Sequence, residues 1–177
     1  MKKERVVLVT PEGEPIGLQE KMQAHYDGQL HLAFSVLLYR DGEQGREYLL
    51  HQRAMGKYHS GGLWTNTCCS HPRQNEPFID AGLRRLREEM GVVGSIPLQD
   101  VATFLYRAEL DNGLVEHELD HVLIAKCGQI QLAPSEDEVM AYRWWPESDV
   151  IAALDNTPSI FTAWFSQVWQ LTLAHAA

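Results

Sequence analysis

Ser70-His71-Pro72-Arg73-Gln74-Asn75-Glu76-Pro77-Phe78-Ile79-Asp80-Ala81-Gly82-Leu83-Arg84-Arg85-Leu86-Arg87-Glu88-Glu89-Met90-Gly91-Val92 decides how this chain is read. Ile79, Leu83, Leu86 and Met90 recur at steps of four, three and four, which predicts the buried face of an α-helix. Gly91 is placed to cap its C-terminus. Glu89 lies four residues after Arg85, so the two project from one side of the helix. Carboxylates gathered near a helix end can hold a divalent cation that bridges phosphate oxygens, and an arginine beside them can contact the anion directly. An amphipathic helix with a solvated Arg/Glu face would show the same charges. It would not require Glu76 and Gly91 at fixed distances from them.

Outward from this helix the chain reads as strands and turns. Val6–Val9 is a short strand closed by Pro11-Glu12-Gly13, and Glu20–Ala24 is one helical turn. Leu32–Tyr39 is a buried strand that turns at Asp41–Gly45 and returns through Glu47–Gln52. Arg53 to Gly62 is a loop with three glycines, and it could fold over a ligand as a lid. Strands follow at Val101–Leu110, Val115–Cys127 and Val139–Trp145, then a short helix at Ser148–Leu154. Thr157-Pro158 predicts the N-cap and first position of a final helix over residues 157–177. The expected fold class is α/β (α+β), a mixed β-sheet flanked by helices, with residues 1–177 as a single domain.

The 177 residues are 45% hydrophobic and 22% charged, the balance of a globule with a real core. Their 24 acids against 15 bases give a net charge of -9. That argues against a general nucleic-acid or membrane-surface binder, which needs a basic face. It permits an anionic ligand only if the bases are gathered in one place. No apolar run approaches the ~20 residues of a membrane helix, and Val6 to Val9 is too short for a secretory signal. Three cysteines, two of them adjacent, do not make a disulfide framework. Reduced thiols in a cytoplasm are expected.

A second chemical set is His25, His31, His71, Glu116 and Glu118. Glu116 and Glu118 are two apart on a predicted strand and so share a face with Asp120, leaving His117 and His121 on the other. Imidazole and carboxylate together suit Mn²⁺, Fe²⁺, Co²⁺ or Zn²⁺. Any one of eight histidines is more often a surface or core residue than a ligand. A third set is Trp64-Thr65-Asn66-Thr67-Cys68-Cys69-Ser70-His71-Pro72. A thiol two residues from a ligand can carry a proton as acid or base; it can equally be a buried structural group, a metal ligand or a nucleophile. One of the two adjacent thiols is expected to face the site and the other to pack inside.

The opening stretch is similar to the Nudix box, Gly-x5-Glu-x7-Arg-Glu-aliphatic-x-Glu-Glu-x-Gly-aliphatic. Ser70 replaces its glycine and Arg85 replaces a metal-binding glutamate. The second departure weakens a diphosphate-hydrolase reading. Nearly the whole chain resembles the type I isopentenyl-diphosphate isomerases, which use the Nudix fold without hydrolysing diphosphates. The matching pieces are Glu20-Lys21 with His25, Leu30–Ser35, Arg53-Ala54-x-x-Lys57, the Trp64–Pro72 run, Arg84-Arg85-Leu86-x-x-Glu89-x-Gly91, Tyr106-Arg107-Ala108, Glu116-His117-Glu118 and Trp164.

The resemblance implies a role for each. Cys69 matches the catalytic thiol and Glu118 the opposing acid/base, with Tyr106 beside it. His25, His31, His71, Glu116 and Glu118 match a site for one divalent metal (Mn²⁺, Zn²⁺ or Mg²⁺), so that residues 1–31 form an N-terminal metal-ligand segment. Glu89 matches the carboxylate that holds Mg²⁺ with the substrate diphosphate. Lys21, Arg53, Lys57 and Arg85 match the diphosphate-binding bases, and Trp164 the aromatic group at the hydrocarbon end. Core packing among Phe161, Phe165, Val168 and Trp169 would also account for Trp164.

The implied reaction is a 1,3-proton shift from isopentenyl to dimethylallyl diphosphate. Protonating an unactivated alkene gives a tertiary carbocation that water would capture, so the site must be dry and must offer an acid and a base on opposite faces. The implied partner is a small-molecule diphosphate, with no nucleic acid and no membrane, and the chain is expected to be a monomer. The rival readings are a Nudix hydrolase cleaving a nucleoside-diphosphate derivative and an inert metal- or partner-binding module.

Overall fold

The structure, a computed structural model, describes residues 3–176. It contains strands β1 (Arg5–Val9), β2 (Pro15–Glu20), β3 (His31–Gly42), β4 (Gly45–Arg53), β5 (Trp64–Thr65), β6 (Cys68–Ser70), β7 (Gln99–Glu109), β8 (Val115–Lys126) and β9 (Val139–Pro146). Its helices are α1 (Lys21–Asp27), α2 (Phe78–Met90), α3 (Glu147–Asn156) and α4 (Phe165–His175). The mixed sheet with helices on both faces is the expected α/β class.

β3 organises the sheet. It pairs β8 in parallel from His31↔Glu118 to Tyr39↔Lys126, and β7 pairs β8 antiparallel outside it. On its other side β3 pairs β4 only from Tyr39↔Tyr48 to Gly42↔Gly45. Beyond that the two strands part, and residues 64–70 enter the gap: β5 joins β4 through Gln52↔Trp64, and β6 joins β3 through Val36↔Cys68 and Ser35↔Cys69. The site is built around this split.

Alternation along β3 feeds two cores. Phe34, Val36 and Leu38 meet Ala81, Leu86 and Met90 of α2. Leu37 and Tyr39 meet Val150 of α3 and Phe165, Val168 and Trp169 of α4. α2 ends as its sequence requires: Gly91 is left-handed (φ 65), and a Cβ there would lie 2.4 Å from the carbonyl oxygen of Ala133.

The chain departs from the sequence reading in three places. The turn expected at Glu20–Ala24 is the longer α1, Lys21–Asp27, and β2, β5 and β6 are additional strands. The final helix does not open at Thr157-Pro158. Pro158–Ile160 is a single 3-10 turn, Phe161 is extended (φ -102, ψ 154), and α4 begins at Phe165. The cause is tertiary: Phe161 bridges Trp64, and the Thr162 amide donates to the Trp64 carbonyl. Capping chemistry at Thr157 is overridden by this pairing, which fixes Trp164 against the split in the sheet.

Candidate active site

β6 is short, but its register decides between the two thiols. Cys68 pairs Val36 and lies in the core under α2, while Cys69 pairs Ser35 and turns to the opposite face. Asn66 holds this corner, its amide donating to the carbonyls of Val36 and Cys68 at 3.1 and 2.8 Å. The Cys69 thiol donates to Asn66 Oδ1 at 3.2 Å. Burial, reinforced by the nearby Asp120 carboxylate, pushes this thiol up to about 12, so it holds its proton at neutral pH.

β8 supplies the opposing wall. Glu116, Glu118 and Asp120 are all buried on one face, whereas His117 and His121 point away, His121 stacking on Phe78. Tyr106 of β7 stands opposite Glu118 in register, with its hydroxyl buried and unpartnered. Glu118 Oε2 lies 3.0 Å from His71 Nε2 and 3.3 Å from His31 Nε2. Burial opposes the charge on Glu118, but the adjacent imidazoles of His31 and His71 hold its carboxyl well below the usual range. Burial likewise pulls His71 down, and its bonds to Glu118 and Glu4 outweigh that and carry it up. Glu116 behaves oppositely: burial and the Glu118 charge push it well up.

The ligand atoms of His25, His31, His71 and Glu118 lie within 4.8 Å of one another. A cation with ligands at ~2.1 Å holds neighbouring ligand atoms ~3 Å apart and opposite ones ~4.2 Å apart, so the cluster has the dimensions of a coordination shell. His25 Nδ1 is bonded to the Lys21 carbonyl at 2.7 Å, and its buried Nε2 has no hydrogen-bond partner. His31 Nδ1 is fixed in the same way on the Gln29 carbonyl at 2.8 Å. Orphaned ring nitrogens with anchored second nitrogens are what metal-binding imidazoles require. The residues fit a divalent metal.

The cationic end of the site lies across the cavity. Arg85 Nη2 is 3.0 Å from Glu89 Oε1 and 3.5 Å from Glu138 Oε1, and Lys57 pairs closely with Glu138. Glu89 is 4% exposed with one oxygen unpartnered, and burial pushes it up to about 7. Arg53 is buried, donating to the His59 carbonyl, with its guanidinium 5.6 Å from the Trp164 ring centre. Lys21 bonds Glu4 at 2.9 Å and sits 4.6 Å from the Tyr58 ring centre. Two further acids of this stretch also pair with arginines: Glu76, just before α2, accepts from Arg84 at 2.9 Å, and Glu88 of α2 accepts from Arg85 at 2.7 Å.

One cavity is lined by Lys21, Arg53, Lys57, Cys69, His71, Arg85, Glu89, Glu116, Glu118 and Trp164. Ala33, Phe34, Tyr58 and Trp164 are its apolar walls, and most of the remaining lining is charged or polar. Trp164 is both core and wall: it is 2% exposed, and its Nε1 reaches Cys69. His25, His31 and Tyr106 stand behind this lining. Sequence reasoning missed His59, Asn66 and Glu138. Asn66 lay within the quoted Thr-Asn-Thr-Cys-Cys run, whereas neither His59 nor Glu138 carried any periodic or spacing signal.

A NUDIX domain model matches residues 29–165. The chain is 63% identical over 170 residues to the isopentenyl-diphosphate Delta-isomerase of Photobacterium profundum, covering 96% of this chain and 94% of the relative. It is 49% identical to the enzyme of the same description from Aliivibrio fischeri strain MJ11, covering 97% and 96% of the two chains. Among solved structures, DR0079 from Deinococcus radiodurans superposes with a TM-score of 0.73 at 14% identity, covering 95% of this chain and 99% of that one. The NUDIX domain of NrtR from Shewanella oneidensis gives 0.64 at 19% identity, covering 82% and 88%. The structural likenesses speak to the fold alone.

Proposed function

The chain belongs to the isopentenyl-diphosphate Delta-isomerase family built on the NUDIX domain, and from that premise we propose that Cys69 and Glu118 are its proton-transfer pair. It is an isomerase of a small diphosphate and not a Nudix hydrolase. What carries the assignment of the pair is that both line one cavity from strands on opposite sides of β3, with four bases gathered around the same space. A substrate anchored through its diphosphate by Lys21, Arg53, Lys57 and Arg85 would present its alkene between thiol and carboxyl.

In this reading one group protonates the terminal carbon and the other removes a proton from the carbon across the tertiary cation. Cys69 enters the cycle as a neutral thiol, oriented by Asn66 and Trp164. Glu118 has its carboxylate fixed by His31 and His71, and Tyr106 stands beside it. Trp164 shields the cation from water. His25, His31, His71, Glu116 and Glu118 would hold a divalent cation, whose charge would tune the acidity of Glu118; Mn²⁺ and Zn²⁺ suit this mixed donor set better than Mg²⁺. Glu89 would hold the Mg²⁺ that accompanies the diphosphate. We read the chain as one domain acting as a cytoplasmic monomer, without nucleic-acid or membrane partners. Among the described residues no helix is long and apolar enough to cross a membrane.

Incubation with isopentenyl diphosphate and Mg²⁺ in D₂O tests the chemistry. Deuterium should enter carbon with no phosphate released. Monophosphate or pyrophosphate in the products would instead mark hydrolysis.

A further inference from the structure

His59 sits in the loop between β4 and β5 and is 2% exposed. Its Nε2 lies 2.8 Å from Glu116 Oε2, yet neither atom has an aligned hydrogen bond. With His25, these two residues form a second group whose ligand atoms all lie within 4.8 Å of one another. The two groups share His25, whose Nδ1 is committed to the Lys21 carbonyl. One free imidazole nitrogen serves one ion, so the two groups describe a single centre rather than two. Glu116 belongs to that centre already, and His59 stands at its side.

The loop is built to hold this ring. His59 Nδ1 is 3.0 Å from Ser60 Oγ, and the His59 carbonyl accepts from Arg53 Nη2 at 3.0 Å and Nε at 3.3 Å. Ser60 takes a left-handed backbone (φ 56) that a non-glycine residue adopts at a cost, and its amide donates to Asp111 Oδ1 at 3.2 Å. A proton on Nδ1, given to Ser60, leaves the Nε2 lone pair facing Glu116. This is the anchored-nitrogen arrangement of His25 and His31.

We infer that His59 is a sixth protein ligand of the divalent metal, completing a shell of four imidazoles and two carboxylates. Six protein donors fill an octahedron, so the ion is held by the chain alone and takes no ligand from the substrate. The inference rests on the metal site proposed above.

X-ray absorption on the Co²⁺-loaded protein counts imidazoles directly, and chelator competition gives affinity. Four imidazoles are expected in the native chain and three in His59→Ala, with Co²⁺ held at least ~10-fold more weakly in the variant. Ser60→Ala, which keeps the ring but removes its anchor, should weaken binding by a smaller factor and serves as the test if His59→Ala does not fold. Three imidazoles in both proteins, or unchanged affinity in both variants, overturns the role of His59 alone. His71→Ala separates the two claims: Co²⁺ affinity equal to that of the native chain there would overturn the underlying site as well.

Discussion

The indole Nε1 of Trp164 donates to Sγ of Cys69 at 3.2 Å, and to Oδ1 of Asn66 at the same distance. Asn66 Oδ1 also receives the thiol and the hydroxyl of Thr65. The sulfur of Cys69 therefore sits in a fixed cradle to which Trp164 contributes a large aromatic ring. Trp164→Leu should lose both the donor and the ring over the cation. A desolvated cation–π contact of ~2 kcal/mol corresponds to a ~30-fold lower kcat. Trp164→Phe should fall between, and KM should move less than ~3-fold in either. A KM change larger than the kcat change would show that the ring binds substrate rather than aiding the chemistry.

Cys69→Ala and Glu118→Gln should each reduce kcat by at least ~10³-fold, the scale of a lost general acid or base. Their metal contents should differ. Cys69 is outside the His/Glu cluster, so Cys69→Ala should retain its divalent ion, whereas Glu118→Gln removes a carboxylate that touches both His31 and His71 and should bind it more weakly. Atomic absorption after gel filtration reads the difference. Equal metal loss in both would place the sulfur in the coordination shell.

Glu138 occupies two of the four proposed diphosphate bases, pairing with Lys57 and lying 3.5 Å from Arg85. Both bases hold its carboxyl down near about 2, against the opposing effect of burial. A substrate anion must displace or share these contacts. Glu138→Ala should therefore bind inorganic pyrophosphate ~3–10-fold more tightly, about 1 kcal/mol for a partly exposed pair, with a steeper salt dependence. Calorimetric titration decides it. Weaker binding would mean that Glu138 orients the bases instead of competing for them.

How much of this was legible in the sequence follows from the range of the forces involved. α2 was readable because four apolar residues and one glycine encode it locally; it runs Phe78–Met90 and ends at the expected Gly91 cap. β5 and β6 were not, since strands of two and three residues carry no periodicity. They exist because β3 and β4 part and leave unpaired backbone. That split chooses Cys69 over Cys68, a choice composition left open. The start of α4 was misread because Thr157 and Pro158 are good local signals that lose to a pairing with Trp64. The motif resemblance brought together the proposed metal ligands of α1, β3, β8 and His71 after β6, but His59 entered from a loop where neither spacing nor chemistry distinguished it from the other histidines.

Removing the divalent ion should destabilise the fold. Three buried imidazole nitrogens, of His25, His31 and His59, have no hydrogen-bond partner, so an ion held there would satisfy groups that otherwise cost free energy. Metal bound only by the native state at a thousandfold excess over Kd contributes about 4 kcal/mol. Addition of a chelator should lower Tm by several degrees, and Mn²⁺ or Zn²⁺ should restore it. A Tm indifferent to both would show that the cluster is satisfied without an ion.

His51 provides a pH dependence separate from the metal. It is 3% exposed on β4, with Nδ1 2.9 Å from the Thr67 carbonyl. Burial, then the neighbouring Arg53 charge, pull it from 6.5 down to about 4. As pH falls between these values the unfolded chain takes up a proton that the native chain refuses. The unfolded state is then favoured, so stability is full above ~6.5 and is lost as pH falls towards ~4. At ~1.4 kcal/mol per unit the full loss is on the order of 3 kcal/mol. His51→Gln keeps an amide that can reach Thr67 and has no proton to gain. Urea unfolding of chelator-treated protein at ~pH 7 and ~pH 4.5 should show a smaller drop in the variant than in the native chain, by up to that amount. Parallel losses in the two proteins would assign the acid sensitivity to other groups.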